Sequence, residues 1–193
     1  MSARLRTECA SYVASHYWPD VKPGTSRNGM RCEDVESPTF GDHAFDIVIA
    51  SDVFEHVFDI HRALKEIARV LTTDGVLIWT VPQQRDLETS RPRARRDGGS
   101  IEYLQPAEYH GDPANEDGVL VTFDWGQDAP SLVEEASGMT TAVFRIESKP
   151  LGILGEYIEV FVSCPSADGW AAGARREAEL LAHERELVVH GQQ

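Results

Sequence analysis

The run Phe45-Asp-Ile-Val-Ile-Ala50-Ser-Asp-Val-Phe-Glu-His-Val57 decides how this chain is read. Residues 45–50 are almost continuously apolar, the pattern of a strand buried on both faces of a parallel sheet. Asp59 then stands where a helix N-cap belongs. Ile60, Leu64, Ile67, Ala68 and Leu71 recur at three- and four-residue spacing, which predicts a helix with Gly75 as its C-cap. Residues 76–81, Val-Leu-Ile-Trp-Thr-Val, make a second buried strand that Pro82 stops. Strand, helix and strand within about forty residues form a βαβ crossover, so the sheet is parallel here.

Toward the N-terminus, residues 11–17 and 29–35 read as short strands on either side of a Lys22-Pro23-Gly24-Thr25 turn. Past Pro82 the periodicity disappears. Residues 83–118 are rich in Arg, Pro, Gly and Asp and too long for a bare connection, so a lid or substrate-binding insertion with little regular structure is expected there. Order returns with 119–125, a helix around 131–136, and a closing antiparallel pair at 140–147 and 157–164. The expected organisation is one domain over 1–165 followed by a C-terminal helical tail over 166–193, which either packs on the domain or pairs with a partner.

Composition narrows the class. A chain of 193 residues with 41% hydrophobic content can bury one sizeable core. With 18 Lys and Arg against 32 Asp and Glu, a net charge of −14 repels nucleic-acid phosphates and anionic membrane surfaces, so neither is expected as a partner. The N-terminus has no signal-like apolar core and no stretch is long enough to span a bilayer, which makes the cytoplasm the expected location. Cys9, Cys32 and Cys164 are odd in number, far apart and in no ligand spacing, and read as reduced thiols.

Phe-Asp-x-Val at 45–48, the Glu55-His56-Val57 turn, Ala63-Leu-Lys-Glu-Ile-Ala-Arg-Val-Leu71, Asp74-Gly75 and the strand ending in Val81-Pro82 occur in the order found in class I S-adenosylmethionine-dependent methyltransferases. The chain resembles that family over roughly residues 11–165. The resemblance implies an α/β fold: a Rossmann-like, mostly parallel sheet with helices on both faces and an antiparallel last strand. It implies S-adenosylmethionine as cofactor and a small-molecule methyl acceptor. Asp34 matches the carboxylate that takes the adenine amino group, with Glu33 and Val35 beside it, while Ser51, Asp52 and Val53 match the wall near the methionine portion. His16 stands where the family carries the acidic residue that grips the ribose hydroxyls.

One family feature is absent. The fifteen glycines include no Gly-x-Gly, the turn through which the family's first strand approaches the methionine end of the cofactor. The chain therefore reads as N-terminally incomplete, with the first central strand missing and weak cofactor binding by this chain alone. The strands near 12–16 and 45–50, which would flank that strand, are expected to pair directly, since open edges otherwise invite a protein partner or self-association.

His56 and His110 are the candidate bases, because an unperturbed imidazole titrates near neutral pH. The alternatives are a packing role for His56 and a surface turn at Tyr109-His110-Gly111-Asp112. His56 and His61 with Glu55 and Asp59 suggest a metal site, but the five-residue spacing does not put both rings on one helix face, so no metal site is read from them. Arg91, Arg93, Arg95 and Arg96 either steer an anionic substrate or form a solvated loop. The leading reading is a methyltransferase. The alternative is a non-catalytic, methyltransferase-like protein that binds a partner. A nicotinamide-dependent oxidoreductase is disfavoured because its fingerprint needs the same glycines.

Overall fold

A computed structural model describes residues 2–9, 11–112, 115–145, 147–149, 152, 154–155 and 157–166. Helix α1 (Ser2–Glu8) precedes a small sheet in which β3 (Met30–Cys32) pairs parallel with β1 (Ser15–His16) and antiparallel with β2 (Ser26–Arg27). The βαβ unit follows as expected: β4 (Phe45–Ser51), a single 3-10 turn (Phe54–His56), α2 (Ile60–Val70) and β5 (Leu71–Thr80), with β4 and β5 parallel and Ser51 opposite Thr80. The Asp59 side chain accepts from the Arg62 amide at 3.0 Å and so caps α2. The helix ends earlier than its periodicity suggests, because Leu71 is already extended. Gly75 is not a C-cap. It lies where residues 72–75 bulge from the β4–β5 ladder, and a Cβ there would come within 2.9 Å of the Thr72 carbonyl oxygen.

Residues 83–118 are more ordered than their composition suggests. After β6 (Arg91–Pro92), β7 (Ala94–Asp97) and β8 (Ser100–Tyr103) form a hairpin, and β9 (Tyr109–Asp112) pairs with β10 (Asn115–Leu120). Strand β11 (Phe123–Asp124) returns to pair with β6. Helix α3 (Ala129–Ser137) ends at Gly138, whose φ of +75° is the left-handed conformation of a helix stop, and leads into β12 (Thr140–Arg145) and β13 (Glu159–Cys164).

The large sheet has the order β12-β13-β5-β4, with β13, the last described strand, antiparallel to both neighbours. Three expectations need correction. Among the described strands only β1–β3 and β4–β5 pair in parallel, so the sheets are mixed rather than mostly parallel. The described helices α2 and α3 share one core on one face of the large sheet, and Ile47 and Ile49 of β4 stay 54% and 41% exposed, so helices on both faces are not seen. Residues 12–16 and 45–50 do not pair directly. Strand β1 is two residues long and is satisfied by β3, which leaves β4 as the edge of its own sheet. The tail expected beyond Ser166 lies outside the described residues.

The core is organised by aromatic rings. Trp79 of β5 stacks on Phe161 of β13 with centroids 4.3 Å apart and meets Phe54 and Trp125 at 5.6 and 5.2 Å. Leu64 and Ile67 of α2 and Val133 and Ala136 of α3 close over this group. The Trp79 indole N–H donates to Ser163 Oγ at 2.9 Å, and Ser163 in turn meets Thr141 Oγ1 at 2.8 Å, so a buried polar bridge crosses β5, β13 and β12. Replacing Ser163, which is fully buried, with alanine would strand the indole donor. Ser163→Ala is expected to lower the unfolding free energy by about 1–3 kcal/mol in urea denaturation, the usual cost of an orphaned buried group. A change below about 0.5 kcal/mol would show that the bridge does not stabilise the sheet.

Candidate functional site

The residues assigned to cofactor binding occupy two strand ends. At the small sheet, His16 lies opposite Cys32, and its ring packs against Trp18 with centroids 4.5 Å apart. Asp34, two residues past β3, accepts the Glu36 amide at 2.9 Å, while its carbonyl accepts the Ser37 amide, making a turn over 34–37. Val35 packs against the core. Glu33 is 7% exposed and engaged within the fold: its oxygens take the Thr39 amide at 2.7 Å, the Thr39 hydroxyl at 2.6 Å and the Arg31 Nε–H. At the large sheet, Ser51 Oγ meets Thr80 Oγ1 at 3.0 Å, and the chain leaves β4 through Asp52, whose φ of +52° turns it sharply into Val53 and the 3-10 turn. Glu36, which the sequence does not single out, joins the two regions by accepting the Phe58 and Asp59 amides at 2.9 and 3.2 Å.

The two histidines named separately from the sequence meet. His56 Nδ1 lies 2.9 Å from the Leu120 carbonyl, which can only accept, so Nδ1 carries a proton and Nε2 is the nitrogen turned toward Glu55. His110 sits on β9 opposite Val119 of β10, and the His56 and His110 rings stand edge to face with centroids 5.3 Å apart. Between them is Glu55, 1% exposed, whose Oε1 is 3.8 Å from His56 Nε2 and 3.8 Å from His110 Nδ1. Among the described residues neither Glu55 oxygen has a hydrogen-bond partner. Burial, with the negative charge of Asp52 adding to it, pushes the Glu55 carboxyl up to about 7; the dipole of its own amide, too poorly placed for a hydrogen bond, opposes this in part. Thr122 holds the turn in place: its amide donates to the Glu55 carbonyl at 2.8 Å and its hydroxyl to the Val57 carbonyl at 2.7 Å.

His110 also lines a cleft of about 260 Å³, whose walls include Glu108, Gln84, Phe123, Asp124 and Tyr157. Asp124 is buried and accepts from Gln84 Nε2 at 3.0 Å, Arg93 Nη1 at 3.0 Å and Arg91 Nε at 3.2 Å. The basic cluster is therefore paired within the fold: Arg91 and Arg93 with Asp124, Arg93 also with Glu108, Arg95 with Glu102, and Arg96 with Glu36 at 3.9 Å while its guanidinium lies 4.5 Å over the Phe58 ring. Glu55, Glu108, Thr122 and Asp124 complete this region. A glutamate directly before a histidine in an otherwise apolar turn is the one signal in the sequence that could have marked Glu55. His61 is exposed on α2 and takes no part. All three cysteines are free, with Cys32 and Cys164 buried.

Residues 2–79 match the family model described as a methyltransferase domain. The motifs from Phe45 to Trp79 fall inside that match. Over this segment, less than half of the chain, the sequence is similar to a methyltransferase domain. A comparison with curated proteins gave no significant match.

Among solved structures, the chain is similar to 1,6-didemethyltoxoflavin-N1-methyltransferase of Burkholderia thailandensis, solved with 1,6-didemethyltoxoflavin and S-adenosylhomocysteine bound (18% identity, TM-score 0.39, covering 67% of this chain and 47% of that one). It is also similar to an S-adenosylmethionine-dependent methyltransferase of Mesorhizobium loti (15%, TM-score 0.46, 72% and 71%). A third is the putative methyltransferase of Haloferax volcanii, solved in complex with the activator Trm112 (16%, TM-score 0.46, 73% and 63%). The chain thus spans about half the length of the first of these. Among the described residues, no helix is long and apolar enough to cross a membrane.

Glu33 supplies a test of whether the first strand end is held by charge. Its burial favours the neutral acid, but the two Thr39 contacts and the Arg31 guanidinium together outweigh that and hold its pKa below the ordinary value of 4.5. A depressed native pKa gives stability that is present above the unfolded value and lost as pH falls through the native one. Glu33→Gln is therefore expected to cost about 2 kcal/mol at neutral pH. The gap from the wild type should narrow as the pH is lowered below 4.5. Urea denaturation across that range checks this, and a gap independent of pH would remove the charge from the explanation.

Proposed function

We propose that this chain serves S-adenosylmethionine-dependent methyl transfer to a small-molecule acceptor. The observation that carries the reading is the convergence of His56 and His110 on Glu55. The cluster lies just beyond the end of β4, where the family resemblance puts the methionine side of the cofactor, and His110 opens onto the cleft. In this reading His16, Asp34 and Val35 face the nucleoside, with Glu33 fixing the loop behind them. Ser51, Asp52 and Val53 wall the sulfonium end. Residues 83–118, within a domain over 1–165, supply the acceptor side. The acceptor hydroxyl attacks the methyl carbon in line as the carbon–sulfur bond breaks, S-adenosylhomocysteine leaves, and the hydroxyl proton passes to His110. The sulfonium is already activated, so alignment supplies most of the acceleration and the base a further factor of about 10²–10⁴.

These 193 residues contain no Gly-x-Gly, so on this reading their own hold on the methionine end is weak. The edge of β4, unpaired among the described residues, favours a second reading, a methyltransferase-like protein that binds a partner strand, with Ile47 and Ile49 exposed on the adjoining sheet face.

Calorimetric titration with S-adenosylmethionine and S-adenosylhomocysteine separates the two. The methyltransferase reading expects saturable but weak binding, with a Kd of about 100 µM or weaker. Asp34→Ala should weaken it at least tenfold, about 1.4 kcal/mol. Absence of any saturable heat at millimolar cofactor would favour the partner-binding reading. A Kd of a few micromolar would refute the incomplete-pocket account.

A further inference from the structure

Glu55 is a buried carboxylate whose surroundings do not satisfy it. Its side chain is 1% exposed and, among the described residues, both oxygens lack hydrogen-bond partners, an arrangement that costs the charged form several kcal/mol unless something compensates it. Two imidazoles each place a nitrogen 3.8 Å from Glu55 Oε1, too long for a hydrogen bond. One ligand atom from each of Glu55, His56 and His110 lies within 4.8 Å of the other two. Bonds of about 2.0–2.2 Å from such atoms to a common centre bring them to roughly 3–3.5 Å apart, a closure of about 1 Å that side-chain torsions can provide.

We propose that Glu55, His56 and His110 bind a divalent transition-metal ion of the zinc class. The donor set of two imidazoles and one carboxylate selects such an ion over magnesium or calcium, which take oxygen ligands, and three protein ligands leave a coordination position open. One distal nitrogen is held as a metal-bound histidine needs it: His56 Nδ1 donates to the Leu120 carbonyl at 2.9 Å, directing Nε2 to the centre. His110 Nε2 faces Glu108 Oε1 at 3.6 Å, beyond hydrogen-bond distance, with its Nδ1 on the Glu55 side. The Thr122 strap fixes the backbone on which Glu55 and His56 sit. His110 is shared with the cleft, so the open position is available to a ligand bound there. A ring nitrogen that holds a cation cannot also take a proton. In the occupied protein the ion itself would lower the pKa of a hydroxyl that ligates it, replacing the histidine as the source of activation.

Zinc binding is read without cofactor or acceptor, so its outcome is independent of the methyltransferase reading. The full chain, stripped with a chelator, is titrated with Zn²⁺ against a chromophoric competitor, with Co²⁺ absorption as a second readout of coordination. One equivalent bound at micromolar Kd or tighter is expected. Glu55→Gln and His110→Ala should each weaken it at least tenfold, whereas Cys9→Ser and His61→Ala leave it unchanged. Thermal unfolding confirms that each variant is folded. Should Glu55→Gln not fold, His110→Ala decides alone, because that side chain is 35% exposed and not part of the core. Absence of binding below about 100 µM, or binding that survives both substitutions and falls in Cys9→Ser or His61→Ala, overturns the proposal.

Discussion

The packing of Trp79 is the constraint on which the rest of the structure depends. Its ring is buried between Phe161, Phe54 and Trp125, and its N–H is satisfied by Ser163, so one side chain ties β5 to β13, to the turn after β4 and to the segment before α3. Phe54 immediately precedes Glu55, and Trp125 follows Asp124. The aromatic core and the polar cluster are therefore adjacent layers of the same segments. Strand β13 is registered on β5 beside this ring, and β12 on β13 in turn.

What could be read from the sequence is what depends on local pattern. The apolar run at 45–50, the cap at Asp59 and the spacing from Ile60 each report their own backbone: β4 forms and α2 starts where those patterns place them, though α2 stops at Val70. The hairpins in 83–118 were not legible because apolar alternation does not hold them. Arg95 pairs with Glu102 across β7 and β8, and Arg96 packs on Phe58, contacts that composition alone reads as a solvated loop. The apolar run at 45–50 was misleading in the other direction. It reports that the strand can be covered on both sides, and among the described residues only one side is.

The candidate site divides the same way. His56 and His110 could each be singled out as a residue type, but their meeting depends on the β9–β10 register, which places His110 opposite Val119 and the Leu120 carbonyl on His56. A shift of one residue would turn the His110 ring to the other side of the hairpin. Glu33 shows the converse. Its position beside Asp34 suggests a ligand, whereas its oxygens are engaged by Thr39 and Arg31 and hold the loop on which Asp34 turns.

The separation of 84 residues between Trp79 and the serine that satisfies it has a consequence for the birth of the fold. On a ribosome, α2 and the β4–β5 pair can form as soon as they emerge, since their contacts are local, but β5 must wait for β13 to be synthesised before its second edge is paired. During that interval the nascent chain presents two unpaired strand edges around a half-covered tryptophan. At the usual elongation rate of about 5–20 residues per second the exposure lasts several seconds, long enough for chaperone capture to compete with completion of the sheet.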